Sequence, residues 1–148
     1  MSPLATTRPA RVLLVEDNDA DVRLTREALR EAGENVRLSS VGDGEQALAF
    51  LRKQEGFADA PRPDLVLLDL NLPRKNGLEV LEELRADPEV ASIPVIMLTS
   101  SSARSDVDAA YAAGANAYVV KPHELDAFMD LIGSIRSFWL GVAQLPSA

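Results

Sequence analysis

The sequence predicts a doubly wound α/β fold with a five-stranded parallel sheet, and three observations lead to that prediction. Five short apolar runs rich in β-branched residues alternate along the chain with five segments of helical periodicity. Three of these runs are almost wholly apolar, which is typical of parallel strands that helices cover on both faces. The length of 148 residues suits one domain, because a single core can bury most of the surface of such a chain.

The predicted strands are the apolar runs, and they cover residues 12–15, 36–41, 65–68, 95–98 and 117–120. Residues 19–32 form the first predicted helix, because apolar residues recur on one of its sides. Those residues are Val22, Leu29 and Ala32. Gly33 follows where a helix stop is expected. Repeated strand–helix units of this kind predict right-handed crossovers.

The second and third predicted helices have clear start signals. Asp43 is an N-cap candidate, since Gln46 lies three residues further on and apolar residues follow it. The third helix is expected to begin after the Asn-Gly pair at 76–77 and to end before Pro88. Its apolar side consists of Leu78, Leu81 and Leu84. The long segment 55–63 is expected to form a surface loop or to extend the second helix.

The fourth predicted helix covers about residues 104–113 and stops at Gly114. The fifth covers about residues 124–140 and has one apolar stripe. That stripe consists of Leu125, Phe128, Ile132, Ile135 and Trp139. Residues 1–10 are expected to be a flexible tail, residues 11–138 the folded domain, and residues 139–148 an apolar C-terminal extension.

Composition and charge exclude several classes of function. The chain has 23 acidic and 15 basic residues and a net charge of -8, so a general affinity for nucleic acid or anionic lipid is not expected. The absence of cysteine excludes disulfides and thiol chemistry. No apolar run nears the ~18 residues of a membrane span. The first ten residues lack an apolar signal core, so we expect a cytoplasmic protein without a membrane anchor.

Polar side chains follow four of the five predicted strands. Glu16 and Asp17 follow the first, Asp69 the third, Thr99 the fourth and Lys121 the fifth. Neighbouring parallel strands end at the same edge of a sheet, where ligands of this fold class bind. Clustered carboxylates repel one another unless a cation lies among them, and an open site of hard oxygen ligands favours Mg²⁺. The pattern therefore indicates phosphoryl transfer to an aspartate nucleophile, with metal and lysine neutralising charge.

Four stretches of the sequence together resemble the receiver domain of two-component response regulators. They are VLLVEDN (12–18), DLVLLDLNLPRKNG (64–77), PVIMLTSS (94–101) and GANAYVVKP (114–122). The resemblance covers about residues 11–138 and implies a flavodoxin-like receiver fold with strand order 2-1-3-4-5. It also implies a signalling protein, rather than an enzyme, that accepts a phosphoryl group from a sensor histidine kinase or from a small phosphodonor.

The resemblance implies a role for each candidate residue. Asp69 is implied to be the phosphoryl acceptor, Thr99 the switch hydroxyl and Lys121 the lysine that pairs with the phosphoryl group. Tyr118 is implied to be the switch aromatic, for which an ordinary half-buried strand residue is the alternative. The implied Mg²⁺ ligands are Glu16, Asp17, Asp69 and the backbone carbonyl of Asn71. The bond between Lys121 and Pro122 is expected to be cis.

The C-terminal end is unusually apolar. Phe138, Trp139 and Leu140 are candidate contacts of a homodimer that also uses the fifth helix, and the alternative is a tail folded back on its own domain. The FWL sequence near an LP ending, together with LNLPRKNG, resembles stand-alone regulators paired with bacterial phytochrome histidine kinases. We expect phosphorylation to change assembly on the face made by helix 4, strand 5 and helix 5.

Several other functions compete with this interpretation. A Mg²⁺-dependent phosphatase with an aspartyl nucleophile would need a second acid where Asn71 stands. A receiver used only for docking would lack some of the key residues, and all of them are present. A flavin-binding domain would need a phosphate loop rich in Ser, Thr or Gly after the first strand. The only histidine, His123, is expected on the surface and not as a phosphoryl acceptor.

Overall fold

The computed structural model describes residues 8–32 and 35–146. These residues contain a parallel sheet of five strands in the order β2-β1-β3-β4-β5. The strands are β1 (Ala10–Val15), β2 (Val36–Val41), β3 (Leu65–Leu68), β4 (Val95–Thr99) and β5 (Ala117–Val120). The predicted fold class and strand order are therefore confirmed.

A helix follows each strand. The helices are α1 (Asp19–Ala32), α2 (Gly44–Arg52), α3 (Gly77–Ala86), α4 (Arg104–Ala112) and α5 (Leu125–Ser137). The predicted stop Gly33 and the first seven residues of the predicted tail lie outside the described residues. Ala10 belongs to β1, so the sheet begins slightly earlier than the apolar pattern indicates.

The central strands send alternate side chains to two separate cores. On β1, Leu13 and Val15 join a core with α2, α3 and α4, whereas Val12 and Leu14 join a core with α1 and α5. All four residues of β3 are buried because helices cover both faces of the sheet. The paired strands end along the same edge of the sheet, which brings together the polar residues that follow them.

Local hydrogen bonds explain where two of the helices begin. The side chain of Asp43 accepts a hydrogen bond of 2.8 Å from the backbone of Gln46, which confirms the predicted N-cap of α2. Asn76 and Glu79 form a reciprocal capping box at the start of α3. Residues 55–63 form a loop rather than an extension of α2, and Phe57 anchors that loop on Phe50 with 5.4 Å between ring centroids.

The prediction for the fifth helix is wrong in two respects. Leu125 is 56% exposed, because the first residue of a helix points its side chain back toward the N-terminus, beyond the sheet. The α-helix ends at Ser137, and Phe138–Val142 form a wider π-helix instead of a further α-helical turn. None of the helices within residues 8–32 and 35–146 is long and apolar enough to cross a membrane.

Candidate functional site

The structure brings three of the predicted metal ligands together at the carboxyl edge of the sheet. Glu16 and Asp17 directly follow β1, and Asp69 directly follows β3, which is the neighbour of β1 in the sheet. One carboxylate oxygen of each residue lies within 4.8 Å of the others. Glu16 and Asp69 are buried, and Asp17 is exposed. The cluster is thus open to solvent on one side only.

The ammonium group of Lys121 lies against this cluster. Its Nζ is 2.6 Å from Oε1 of Glu16 and 3.1 Å from Oδ2 of Asp69. Burial alone would lower the pKa of Lys121, but the hydrogen bonds to its carboxylate partners outweigh that effect and raise this pKa above its ordinary value. The lysine therefore stays protonated and supplies a fixed positive charge beside Asp69.

The surroundings of Asp69 fix the position of its carboxylate. The backbone N–H of Asn71 donates to Oδ1 of Asp69 at 3.2 Å, while Lys121 donates to Oδ2. Both oxygens therefore have a donor, and Asp69 lines the cleft at the end of the sheet. Asn71 itself is exposed at the rim.

Thr99 ends β4 and Tyr118 is the second residue of the neighbouring strand β5, and the loop after β4 contacts both of them. Thr99 is fully buried, and its Oγ1 accepts a long hydrogen bond of 3.5 Å from the backbone of Ser101. The hydroxyl of Tyr118 donates to the backbone carbonyl of Ser101 at 2.9 Å. The ring of Tyr118 is half-buried against the core of α2, α3 and α4. Ser101 therefore contacts both side chains, and a movement of Thr99 that displaced Ser101 would also displace Tyr118.

Burial raises the pKa of Glu16 to about 7, and the charge of Asp69 acts in the same direction. The hydrogen bonds from Lys121 and from the backbone of Asn18 oppose this rise but do not cancel it. In the metal-free protein Glu16 therefore takes up a proton more readily than an exposed glutamate does. A cation that entered the cluster would displace this proton.

The carboxylates line a cleft of about 410 Å³ at the end of the sheet. Further lining residues come from the loops that surround it, and they include Asn18, Asp21, Ser100, Pro122 and His123. His123 is exposed, as expected. The peptide bond between Lys121 and Pro122 is trans, so the prediction of a cis bond is wrong. The trans form is the intrinsically favoured one, and this loop adopts it.

Two residues that contact the site were missed by sequence reasoning. Oδ2 of Asp21 lies 2.9 Å from Nζ of Lys121 and is a third carboxylate partner of that ammonium. Asn18 links the cluster to α1, because its backbone donates to Glu16 and its side chain accepts from the backbone of Asp21. The sequence carried a partial signal for Asp21, since it is an acid in the first turn of the predicted helix that follows Glu16 and Asp17.

The residues of the predicted dimer face differ in their exposure to solvent. Phe138 is 51% exposed, and Val142 nearby is 72% exposed. Trp139 and Leu140 are half-buried and pack against the core of α1 and α5. All four residues lie in the π-helix Phe138–Val142, so one short element presents both a packed side and an exposed side. Part of the extension thus folds back, and part remains on the surface.

The donors at this site fit a hard divalent cation. Three carboxylates from two neighbouring strand ends supply oxygen ligands only, and the open side leaves room for water and for a phosphoryl oxygen. There is no cysteine in the chain, and the single histidine is exposed. The set is therefore typical of Mg²⁺ or Mn²⁺ and not of a structural zinc site.

Comparisons with known proteins agree with this geometry. The profile of the response regulator receiver domain matches residues 12–133. Response regulator Rcp1 from Synechocystis sp. is 43% identical over 140 residues, which cover 95% of each chain. The solved structure of the phosphorylated cyanobacterial phytochrome response regulator RcpA matches with a TM-score of 0.91 and 42% identity, over 94% of this chain and 99% of that chain.

A second solved structure is the Mn²⁺-bound form of response regulator Rcp1. It matches with a TM-score of 0.89 and 42% identity, over 94% of this chain and 100% of that chain. The profile spans most of the sequence, and the relatives are matched over nearly their whole length. The chain belongs to the response regulator receiver domain family and is a signalling protein of the two-component type.

Proposed function

We propose that the chain accepts a phosphoryl group on Asp69 from the phosphohistidine of a sensor histidine kinase. The observation that carries the proposal is the contact of 3.1 Å between Nζ of Lys121 and Oδ2 of Asp69, inside a cluster of carboxylates that a divalent cation would fit. Asp69 is buried to 7% exposure yet lines the open cleft, so its carboxylate can meet a donor that enters from solvent.

The reaction is an in-line displacement at phosphorus. An oxygen of the Asp69 carboxylate attacks the phosphorus atom and forms a P–O bond. The P–N bond to the donor histidine breaks, and its electron pair returns to the imidazole nitrogen. Lys121 holds a positive charge beside the phosphoryl oxygens, and the hydroxyl of Thr99 donates to one of them once it turns toward the phosphoryl group. Later attack by water releases phosphate and restores Asp69.

The residues that would hold Mg²⁺ are Glu16, Asp17, Asp69 and the backbone carbonyl of Asn71. When bound, Mg²⁺ would neutralise charge on the phosphoryl group. The chain's own residues support this choice, because the pKa of Glu16 is raised to about 7 by burial and a cation would favour its ionised form. The metal-bound form of Rcp1, a relative at 42% identity, is a further support.

We infer that the partner kinase is a bacterial phytochrome. RcpA is by name a phytochrome response regulator, and the chain matches it over nearly its whole length. We further infer a cytoplasmic protein that does not bind nucleic acid, which the net charge of -8 supports. Output would then pass through contacts with other proteins, including a second copy of the chain.

We infer that phosphorylation acts on the face made by α4, β5 and α5. The hydrogen bond from Tyr118 to the carbonyl of Ser101 connects this face to the loop that follows Thr99. A homodimer would use α5 and the apolar residues Phe138, Trp139 and Leu140 that follow it. Phe138 supplies the exposed apolar surface for such a contact. Its ring packs edge-to-face on the ring of Trp139, with 5.5 Å between the ring centroids.

Intact mass spectrometry tests the proposed acceptor. The protein is incubated with Mg²⁺ and either acetyl phosphate or a phosphorylated phytochrome kinase. We expect the mass to rise by one phosphoryl group in the unaltered protein and to stay unchanged in Asp69→Asn. Asp17→Asn is expected to lower the yield because it removes a metal ligand. The absence of any gain with both donors would contradict the proposal.

A further inference from the structure

The ammonium of Lys121 has three N–H donors, and each one meets a different carboxylate. The acceptor atoms are Oε1 of Glu16 at 2.6 Å, Oδ2 of Asp21 at 2.9 Å and Oδ2 of Asp69 at 3.1 Å. Glu16 and Asp69 already have roles in the proposed function. Asp21 has none, although it is closer to the ammonium than the proposed acceptor is.

The backbone of Asp21 is tied to the cluster by local hydrogen bonds. Asp21 lies in the first turn of α1, and its backbone N–H donates to the side chain of Asn18 at 3.0 Å. The backbone of Asn18 in turn donates to Oε2 of Glu16 at 3.0 Å. Two of the three partners of Lys121 are therefore joined to each other through Asn18, and both belong to one continuous segment of chain.

An acid in the first turn of a helix would have a simpler explanation, because negative charge there interacts favourably with the helix dipole. Asp19 satisfies that explanation equally well, since it stands in the same turn. Only Asp21 of these two acids contacts Lys121, which is 100 residues away in sequence. The side chain of Asp21 is 26% exposed and that of Lys121 is 11% exposed, so solvent screens this pair only partly. The contact needs an explanation beyond helix stability.

We propose that Asp21 is a positioning residue, which together with Glu16 anchors two N–H groups of Lys121 so that the third one faces Asp69. This inference rests on the proposed acceptance of a phosphoryl group by Asp69. Without Asp21 the ammonium has a free N–H and can rotate toward solvent or toward Glu16. The N–H that should stabilise the charge on the incoming phosphoryl group would then point at Asp69 for a smaller fraction of the time.

Phosphorylation kinetics separate this role from a general effect of charge. Asp21→Asn and Asp19→Asn remove the same charge from the same helical turn, and only the first replaces a carboxylate partner of Lys121 by a neutral, weaker acceptor. We expect the rate constant of phosphorylation by acetyl phosphate with Mg²⁺ to fall about tenfold in Asp21→Asn and to stay within about twofold in Asp19→Asn. Asp21→Glu retains a carboxylate within reach and should recover most of the rate.

A second measurement observes Lys121 without any metal or phosphodonor. The chain has three lysines, Lys53, Lys75 and Lys121, so nitrogen-15 spectra of lysine ammonium groups can be assigned with single Lys→Arg variants. We expect the Lys121 ammonium protons to exchange slowly with solvent, because three carboxylates hold them. Exchange should become at least about tenfold faster in Asp21→Asn and remain unchanged in Asp19→Asn.

The outcomes distinguish failure of this inference from failure of the proposed function. If the unaltered protein gains no phosphoryl group, the proposed function fails and the role of Asp21 fails with it. If the unaltered protein is phosphorylated while Asp21→Asn matches Asp19→Asn in both rate and ammonium exchange, only the positioning role is wrong. Faster exchange without any loss of rate would also overturn it, because Lys121 would then be mobile without consequence for the transfer.

Discussion

The Cα of Gly77 lies so close to the backbone carbonyl of Asp69 that a Cβ at this position would stand 2.2 Å from the carbonyl oxygen. Gly77 is the first residue of α3, and its N–H donates to the carbonyl of Leu70 at 2.9 Å. The loop from Asp69 to Gly77 is thus closed by contacts between its first and last residues. The proposed acceptor is held in place by a helix that begins eight residues later in the sequence, and this requires a glycine.

Gly77→Ala should therefore damage both stability and function. The added methyl group must displace backbone, so we expect the free energy of unfolding to fall by about 1–3 kcal/mol. The rate of phosphorylation should fall as well, because the displaced backbone carries Asp69. Urea denaturation and intact mass spectrometry measure the two effects.

Gly133→Ala is the matched control for that change. Gly133 lies within α5 and an added Cβ there would meet no atom within 4 Å, so alanine should raise stability by up to about 1 kcal/mol. Equal effects of the two substitutions would show that the close contact of Gly77 has no importance.

The raised pKa of Glu16 predicts a pH dependence of stability in the metal-free protein. Folding raises this pKa from 4.5 to about 7, so the native state binds more protons than the unfolded state between these values. Stability from this group is complete below pH 4.5 and is lost as the pH rises toward 7. The loss amounts to at most roughly 3 kcal/mol.

Glu16→Gln removes this titration and serves as the reference. We expect the difference in unfolding free energy between the two proteins to change with pH across the window from 4.5 to 7 in buffer without divalent cations. Saturating Mg²⁺ should abolish that change, because a bound cation keeps Glu16 ionised. A difference that stays constant with pH would contradict the assignment of the raised pKa to Glu16.

Much of the fold follows from the sequence because the strands are buried on both faces. Continuous apolar runs such as Leu65–Leu68 are stable only in the interior of a sheet that helices cover on both faces. Capping signals such as Asp43 with Gln46 depend only on neighbouring residues. The exposure of Leu125 was not predictable in this way. Its spacing fits the apolar stripe of α5, and only the position of the helix start relative to the sheet leaves it exposed.

The site follows from the sequence to a similar degree. Glu16, Asp17 and Asp69 meet because parallel strands end together, and the strand pattern is enough to infer this. Asp21 was missed because its contact with Lys121 depends on the direction in which α1 leaves the sheet. Such a direction is set by packing between α1 and α5, which joins distant parts of the chain.

Phe138 and Trp139, at the end of the domain, should respond differently to substitution. Phe138→Ser changes an exposed side chain, so we expect weaker self-association and little change in unfolding free energy. Trp139→Ala removes a half-buried side chain from the core of α1 and α5, so we expect a loss of about 2 kcal/mol or more.

Sedimentation velocity with and without beryllofluoride, which mimics the phosphoryl group, measures the assembly. The unaltered protein should change its oligomeric state on addition of beryllofluoride, and Phe138→Ser should respond less. An identical oligomer under all of these conditions would contradict the proposed dimer face.

The identity of the phosphorylated residue is the most direct test of the central claim. Borohydride reduces an aspartyl phosphate to homoserine, and tandem mass spectrometry then identifies the modified residue in a peptide. After incubation with a phosphodonor and Mg²⁺, we predict homoserine at position 69 and at no other aspartate. Modification at Asp17 or at another carboxylate, with Asp69 intact, would contradict the account.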